Sequence, residues 1–148
     1  MRLTRKVLKN RARPVTFGQP ARNQHLAETM LEFMRTKKGI GLAAPQIGLS
    51  RRLFVMDVGG QIRACFNPEI VSSSPELVEM AEGCLSFPGK SCILQRASEI
   101  SVRYQNYRGD WYTERLDGLM ARCFQHELDH LDGIVMQDRH KEQHAEQS

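Results

Sequence analysis

One short stretch constrains this chain more than any other: residues 125–133 read QHELDHLDG and contain two histidines four positions apart. On an α-helix, residues i and i+4 lie one above the other on the same face, so His126 and His130 can reach one metal ion. Glu127 lies about 100° around the helix from His126, which suits proton exchange with a metal-bound water better than a third ligand position. The pattern therefore predicts a helix that carries two metal ligands and an acid–base carboxylate.

The residues around this motif favour an amphipathic helix. Asp117 is a good N-cap, and Gly133 fits the position at which a helix ends. Apolar residues recur at helical spacing: Leu119, Met120, Cys123, Phe124, Leu128 and Leu131. Leu119 and Cys123 share the histidine face, so we expect the metal side of the helix to be half-buried. A helix with two hydrogen-bonded core histidines is the alternative, because a bare five-residue match also occurs by chance.

A catalytic metal of this kind needs a third protein ligand and one open coordination position. Metzincin proteases have a third histidine six residues after the second, but that position holds Met136 here. The downstream glutamates are Glu142 and Glu146, in a short polar tail that we do not expect to return as a packed helix. We therefore predict an upstream ligand, with cysteine as the first candidate. Cys84 follows Gly83 at the predicted turn of a strand and would complete a catalytic set of two histidines and one cysteine.

Length and composition fit one domain, predicted to span residues 1–148, with 41% hydrophobic and 26% charged residues. We expect residues 1–6 and 140–148 to be flexible. We expect neither a membrane-spanning segment nor a secretory signal, because no apolar run is long enough. Four cysteines are too few for a disulfide scaffold and fit a reducing cytoplasm.

The net charge of +4 is unevenly distributed, since residues 1–22 contain seven Lys or Arg and no Asp or Glu. One interpretation is a basic arm that contacts nucleic acid or the ribosome surface. A solvated N-terminal segment is the interpretation we favour, because the stretch does not alternate basic with aromatic residues. An organellar transit peptide is a third interpretation of an arginine-rich, acid-free start.

Hydrophobic periodicity predicts a helix over 23–37, strands over 53–58 and 62–66 joined by a Gly59-Gly60 turn, and a strand pair over 100–104 and 111–116. Short strands at hairpin spacing agree with an α+β fold and argue against a doubly wound sheet. Residues 39–46 read GIGLAAPQ. Because these residues are small, we expect another group to approach the backbone of this loop closely. Residues 134–136 are predicted to be a short strand. His140 and His144 repeat the four-residue spacing in the tail, but we interpret them as solvated.

Three stretches now stand in order: GIGLAAPQ at 39–46, EGCLS at 82–86 and QHELDH at 125–130. Their content, order and separation resemble the three motifs of the peptide deformylase family, and the resemblance extends over about residues 7–139. It implies an α+β fold with antiparallel strands around a central metal-binding helix and the 23–37 helix on the outside. The central helix carries the HExxH motif, which is His126, Glu127, any two residues and His130. It also implies a hydrolase that removes the formyl group from the N-terminal methionine of newly synthesised polypeptides.

The resemblance assigns roles residue by residue. The implied ligands of one divalent metal ion, Fe(II) natively with Zn(II), Ni(II) or Co(II) as alternatives, are Cys84, His126 and His130. Glu127 would take a proton from the attacking water and pass one to the leaving amine. The side-chain amide of Gln46 and the backbone N–H of Leu85 would stabilise the oxyanion.

The resemblance also implies an apolar pocket for the methionine side chain and a substrate backbone bound as an added strand. The residues that match substrate-binding positions are Ile40, Gly41, Met80, Glu82, Pro88, Gly89, Leu119 and Cys123. We further expect Glu82 to orient the cysteine turn and Arg96 to pair with Asp129. Some family members hold the peptide with an arginine in the region of Lys90, which makes this lysine a possible substitute.

The expected partners are formyl-methionyl nascent peptides and the ribosome surface, without a membrane or a specific nucleic acid. We expect a cytoplasmic monomer, in a bacterium or a virus-infected bacterial host, with an organelle as the alternative. Three rival functions compete with this interpretation. They are an HExxH protease that cleaves internal peptide bonds, a binding protein with a structural zinc, and a basic RNA-binding module whose salt-dependent affinity survives loss of the metal.

Overall fold

The fold is described from a computed structural model that covers residues 1–145. In chain order its helices and strands are α1 (Pro20–Thr36), β1 (Gly41–Ala43), β2 (Leu53–Val58), β3 (Gln61–Ser73), β4 (Leu77–Glu82), β5 (Cys92–Ala97), β6 (Glu99–Gln105), β7 (Trp111–Asp117), α2 (Gly118–Leu131) and α3 (Met136–His144). A short 3-10 turn, Ala44–Ile47, follows β1. Within residues 1–145, no helix is both long and apolar enough to cross a membrane.

The strands form two antiparallel sheets. The larger sheet has the order β1-β2-β3-β6-β7, and β4 pairs with β5 in a separate hairpin. Val58 pairs with Gln61 across Gly59 and Gly60, whose φ values of 60° and 86° are those of a type I′ turn. The predicted hairpin and the predicted α+β class are therefore confirmed. However, β3 extends beyond the predicted strand over 62–66, and β5 was not predicted from the periodicity.

Two helices pack on opposite faces of the larger sheet, because successive side chains of a strand point to opposite faces. From β2, Phe54 packs on α2, where it contacts Phe124 edge to face with ring centroids 5.0 Å apart. Its neighbour Val55 belongs instead to the apolar cluster that contains Met30 and Met34 of α1. The sheet therefore places α2 in the interior, between β2 and the β4–β5 hairpin, and leaves α1 on the outside as predicted.

The end of the chain differs from the prediction. Residues 134–136 do not form a strand, because Met136 begins α3, and this polar helix does pack back on the molecule. It covers the open edge of β5: the Gln143 side chain donates to Gln95 O (2.9 Å) and accepts from Gln95 N (2.8 Å). Polar side-chain bonds hold this helix, so hydrophobic periodicity could not reveal it. Glu146 lies outside the described residues.

The start of the chain also differs. The interpretation of residues 1–22 as solvated is wrong for Leu8 and Ala12, which are 2% and 3% exposed. The Ala12 N–H donates to Leu131 O at the end of α2 (2.8 Å), so the segment packs beside the central helix. Flexibility of residues 1–6 and 140–148 stays a prediction.

Both ends of α2 are set by local sequence. Asp117 occupies the N-cap position, although its side chain makes no capping hydrogen bond. Gly133 has a φ of 76°, and a Cβ there would lie 2.6 Å from Lys9 O, so glycine is required on both conformational and steric grounds.

Candidate active site

Three predicted metal ligands converge where α2 faces the β4–β5 hairpin. His126 and His130 lie on the buried face of α2, with ring centroids 4.9 Å apart. Cys84 follows β4 on the connecting loop, and its Sγ lies 3.3 Å from His130 Nε2. The three ligand atoms all lie within 4.8 Å of one another, and residues 1–145 contain no other group of three His, Cys, Asp or Glu side chains with this geometry. A thiol and two imidazoles at this separation suit Fe(II), Zn(II), Co(II) or Ni(II).

The electrostatics of the cluster fit a cation. Burial lowers the pKa of His130 to about 3, which keeps this imidazole neutral, as a metal ligand must be. Burial also lowers the pKa of His126, but hydrogen bonds with Cys84 and Glu82 outweigh it and raise that pKa to about 10. Positive charge is therefore favoured at the point where Cys84 and His126 meet.

The Glu82 carboxylate orients the His126 ring through a contact with Nδ1. The carboxylate lies 2.8 Å from His126 Nδ1 and accepts two bonds from Arg96, of 2.6 and 2.9 Å. A further bond of 2.5 Å comes from Arg122. Burial raises the pKa of Glu82, but hydrogen bonds with His126 and Arg96 lower it to about 2, so Glu82 is an anion. Its carboxylate is thus occupied in orienting His126, although Glu82 also lies along the wall of the cleft described below.

The predicted pair of Arg96 with Asp129 is present, with Nη1 2.9 Å from Oδ2. Sequence reasoning missed two further arginines in this network. Arg139 of α3 binds Asp129 at 2.9 and 3.2 Å, and Arg122 reaches both Glu82 and the carbonyl of Val78. The signal for Arg122 was its position four residues before His126, on the same face of α2.

Glu127 is 4% exposed and lies between α2 and β1. Burial raises the pKa of its carboxyl to about 7, and its Oε1 has no hydrogen-bond partner among the described residues. A Cβ at Gly41 would lie 2.5 Å from Glu127 Oε2, so the glycine-rich loop is what leaves room for this carboxylate. The group that approaches the predicted small-residue loop is therefore Glu127 itself.

Gln46 lies in the 3-10 turn after β1 and is 1% exposed. Its Oε1 accepts from the Ala43 N–H (2.8 Å), which fixes the amide so that Nε2 faces the cysteine loop. Nε2 donates to Ser86 Oγ (3.0 Å) and lies 3.5 Å from Cys84 Sγ. Ser86 is a site residue that sequence reasoning missed, although it belongs to the EGCLS stretch.

The N-terminal segment supports the same loops. The Thr4 N–H donates to Gln46 O (2.8 Å), and Arg5 Nε donates to Ser86 O (2.9 Å). The Arg5 guanidinium also lies over the Phe87 ring, 4.3 Å from its centroid. Residues near the start of the chain therefore link the Gln46 turn to the cysteine loop.

A cleft of about 520 Å³ opens beside these groups. The predicted residues that line it are Ile40, Gly41, Gln46, Met80, Glu82, Cys84, Leu85, Gly89, Leu119, Cys123, His126 and Glu127. Lys90 and Phe87 also line the cleft, whereas the predicted site residues Pro88 and His130 do not line it in the part of the chain that the structure describes. Three apolar side chains at the cleft are 43–45% exposed, namely Ile40, Met80 and Leu119, which is typical of a surface that binds an apolar group.

The chain is similar to known proteins over nearly its whole length. Residues 1–146 match the family described as polypeptide deformylase. A peptide deformylase of Thermotoga neapolitana is 50% identical over 135 residues, which cover 91% of this chain and 82% of that protein. The crystal structure of peptide deformylase from Thermotoga maritima superposes with a TM-score of 0.89 at 46% identity, covering 93% of this chain and 95% of that one. The crystal structure of a probable peptide deformylase from synechococcus phage S-SSM7 superposes with a TM-score of 0.86 at 37% identity, covering 93% of this chain and 99% of that one.

Proposed function

The chain belongs to the peptide deformylase family, metal-dependent hydrolases that remove the N-formyl group from nascent polypeptides, and from this we propose how its own residues perform the reaction. We assign Cys84, His126 and His130 as the metal ligands and Glu127 as the general acid–base. The observation that carries the assignment is the convergence of three ligand atoms within 4.8 Å beside a buried carboxylate that has an unbonded oxygen. A structural zinc site would need no such carboxylate.

A divalent ion held by these ligands would lower the pKa of a bound water and so supply a nucleophile near neutral pH. Glu127 accepts the proton of that water at Oε1, the oxygen without a partner among the described residues. It then donates the proton to the amine that leaves when the formyl C–N bond breaks. Glu127 is 4% exposed, so its carboxyl is largely shielded from bulk water between the two steps.

Gln46 and Leu85 stabilise the oxyanion that develops on the formyl oxygen. The Gln46 Oε1 is held by the Ala43 N–H, so the amide can present only N–H bonds to the substrate. Leu85 lines the cleft next to the ligand Cys84, where we assign its backbone N–H as the second donor. Because Gln46 Nε2 is held in place before the substrate arrives, little reorganisation is needed during the reaction.

The methionine side chain of the substrate would lie against the exposed apolar side chains of the cleft, namely Ile40, Met80 and Leu119. We assign Ile40, Gly41, Met80, Gly89, Leu119 and Cys123 to substrate binding, with Pro88 as part of the same turn. Lys90 lines the cleft, and we propose it as the substitute for the arginine that holds the peptide in some family members. Glu82 we assign to positioning His126 rather than to substrate contact.

We propose Fe(II) as the native ion because the family resemblance implies it, while one thiolate and two imidazoles suit Zn(II), Co(II) or Ni(II) equally. We propose a monomer that acts in the cytoplasm of a bacterium, in keeping with the bacterial relatives, and that meets nascent chains at the ribosome surface.

The test is formate release from a short formyl-methionyl peptide by protein purified without oxygen and loaded in turn with Fe(II), Ni(II) and Zn(II). We expect metal-dependent release from the formylated peptide and no cleavage of the same peptide without its formyl group. Cleavage of internal peptide bonds would contradict the proposal in favour of a protease. Metal binding without formate release would contradict it in favour of a structural site.

A further inference from the structure

A second groove, of about 860 Å³, is lined by residues from the segments 7–23 and 48–51. It shares no lining residue with the catalytic cleft, and no aspartate or glutamate lines it within the described part of the chain. We call it the arginine groove, because Arg13, Arg22 and Arg51 line it. All three arginines are exposed.

The three arginines come from separate parts of the sequence and are brought together by backbone contacts. Arg13 belongs to the N-terminal segment, Arg22 to the first turns of α1, and Arg51 to the loop before β2. Arg13 and Arg51 form an isolated bridge, which the Arg13 N–H donating to Ser50 O and the Arg52 N–H donating to Arg13 O hold in place. The packing of Leu8 and Ala12 fixes the N-terminal segment on which Arg13 lies.

Most arginines elsewhere on the molecule are neutralised. Arg35 pairs with Asp57, Arg103 with Glu69 and Arg115 with Glu99, even though these arginines are 41–78% exposed. Within residues 1–145, by contrast, no ion pair is found for Arg13, Arg22 or Arg51. Arg22 only donates to the neutral side chain of Gln19.

The first turn of α1, which borders the same groove, contains no acidic residue. The partial positive charge of the helix N-terminus therefore adds to that of the arginines instead of being cancelled. Three arginines without an ion pair among residues 1–145 thus line one groove that has no acidic residue, which favours a positive potential in the groove.

We propose that the arginine groove binds the phosphodiester backbone of RNA without sequence preference. Arginine presents a planar fork of N–H donors that matches phosphate, and three arginines along one groove can follow successive phosphates of a strand. Among the residues that the structure describes, the groove has no aromatic side chain on which a base could stack, so we expect it to contact the phosphodiester backbone and not the bases. The inference rests on the proposed function only in naming the chemistry of the ribosome surface that this enzyme meets.

The experiment measures binding of a fluorescein-labelled single-stranded RNA of mixed sequence, as a function of salt, to the metal-loaded full chain. Contact with about three phosphates predicts a slope near −2 in log affinity against log salt, hence about a 20-fold loss between 50 and 200 mM. The test variant is R13Q/R22Q/R51Q, and the matched control R35Q/R103Q/R115Q removes the same net charge from paired exposed positions. We expect the slope to approach zero in the test variant and to remain near −2 in the control.

Three results would overturn the proposal: no salt-dependent binding by the natural protein, equal loss in both variants, or equally tight binding of labelled polyglutamate. The last would show a general polyanion surface without phosphate recognition. Formate release from a short formyl-methionyl peptide is measured in parallel and should be unchanged in both variants. Failure of RNA binding is thereby distinguished from failure of the proposed catalytic function, and the single variants R13Q and R51Q replace the triple variant if its melting temperature falls.

Discussion

Two pairs of histidines share one spacing in this molecule, yet the fold gives them different surroundings. His126 and His130 lie on the central helix, where Cys84 is the proposed third ligand and the Glu82 carboxylate lies against His126 Nδ1. His140 and His144 lie on α3, with ring centroids 4.2 Å apart. Both of the latter contact the carbonyl of Ile93 in β5, at 3.3 and 3.5 Å, and both remain partly exposed to solvent.

The four-residue spacing supplies two imidazoles in both helices, and the surrounding fold decides their chemistry. At α2, a hairpin loop brings a thiol, a buried glutamate follows the first histidine, and an arginine–carboxylate network fixes one ring. At α3, the residue after the first histidine is Lys141, and the nearest strand offers a backbone carbonyl.

Removal of the third ligand should have the largest effect. Cys84→Ala leaves two imidazoles, as on α3, and we expect bound metal and formate release both to fall to background. Metal content by mass spectrometry and formate release are measured on the same preparation. Cys92→Ala is the control, because this cysteine lies in β5 outside the ligand cluster. Retention of stoichiometric metal in Cys84→Ala would show that the ligand assignment is wrong.

Loss of the oxyanion donor should come next. Gln46→Glu keeps an oxygen that accepts from the Ala43 N–H but replaces the N–H donor with negative charge. We expect kcat to fall about 10²–10³-fold with metal content unchanged. Steady-state kinetics would reveal this, with the exposed Gln24→Glu on α1 as the control. An unaltered kcat would exclude Gln46 from the oxyanion site.

Weakening the network behind the ligands should have a smaller effect. Arg96→Met removes the guanidinium that joins Glu82 to Asp129, while Arg122 and Arg139 still neutralise the two carboxylates. We expect metal affinity to weaken about 10–100-fold, measured by competition with a chromophoric chelator. Arg103→Met, which removes an exposed ion pair with Glu69, should leave affinity unchanged. If Arg96→Met bound the metal as tightly as Arg103→Met, the network would have a structural role only.

The second histidine pair should matter least. The double variant His140→Gln/His144→Gln should keep one metal ion per chain and formate release within about twofold of the natural protein, since surface changes have small effects. Loss of metal or of activity in this variant would place the α3 pair in the catalytic machinery and break the contrast.

Strong local patterns made much of this molecule predictable. The α2 helix, the Gly59–Gly60 hairpin and the β6–β7 pair each follow from periodicity or turn chemistry within a few residues. The parts that were missed depend on distant partners. Gln143 holds α3 against the molecule by bonding to a strand edge about fifty residues away in sequence. Arg139 can contact Asp129 only after α3 has packed in this position.

The site divides in the same way. The spacing of the histidines and Glu127 is a property of one helix, so the sequence shows it directly. The role of Glu82 depends on the β4–β5 hairpin lying under α2, and a carboxylate next to a ligand loop looks like a substrate contact until that packing is known. The requirement for glycine at position 41 likewise comes from the Glu127 carboxylate, which is remote in sequence.

We propose that Glu127 moves the proton and that the three metal ligands hold the ion independently of Glu127. Formate release and metal content should be measured together for the natural protein and for Glu127→Gln, which has nearly the same shape. The account predicts full metal content in both and a rate about 10²–10⁴-fold lower in the variant. A variant that keeps its metal and retains the full rate would contradict the account.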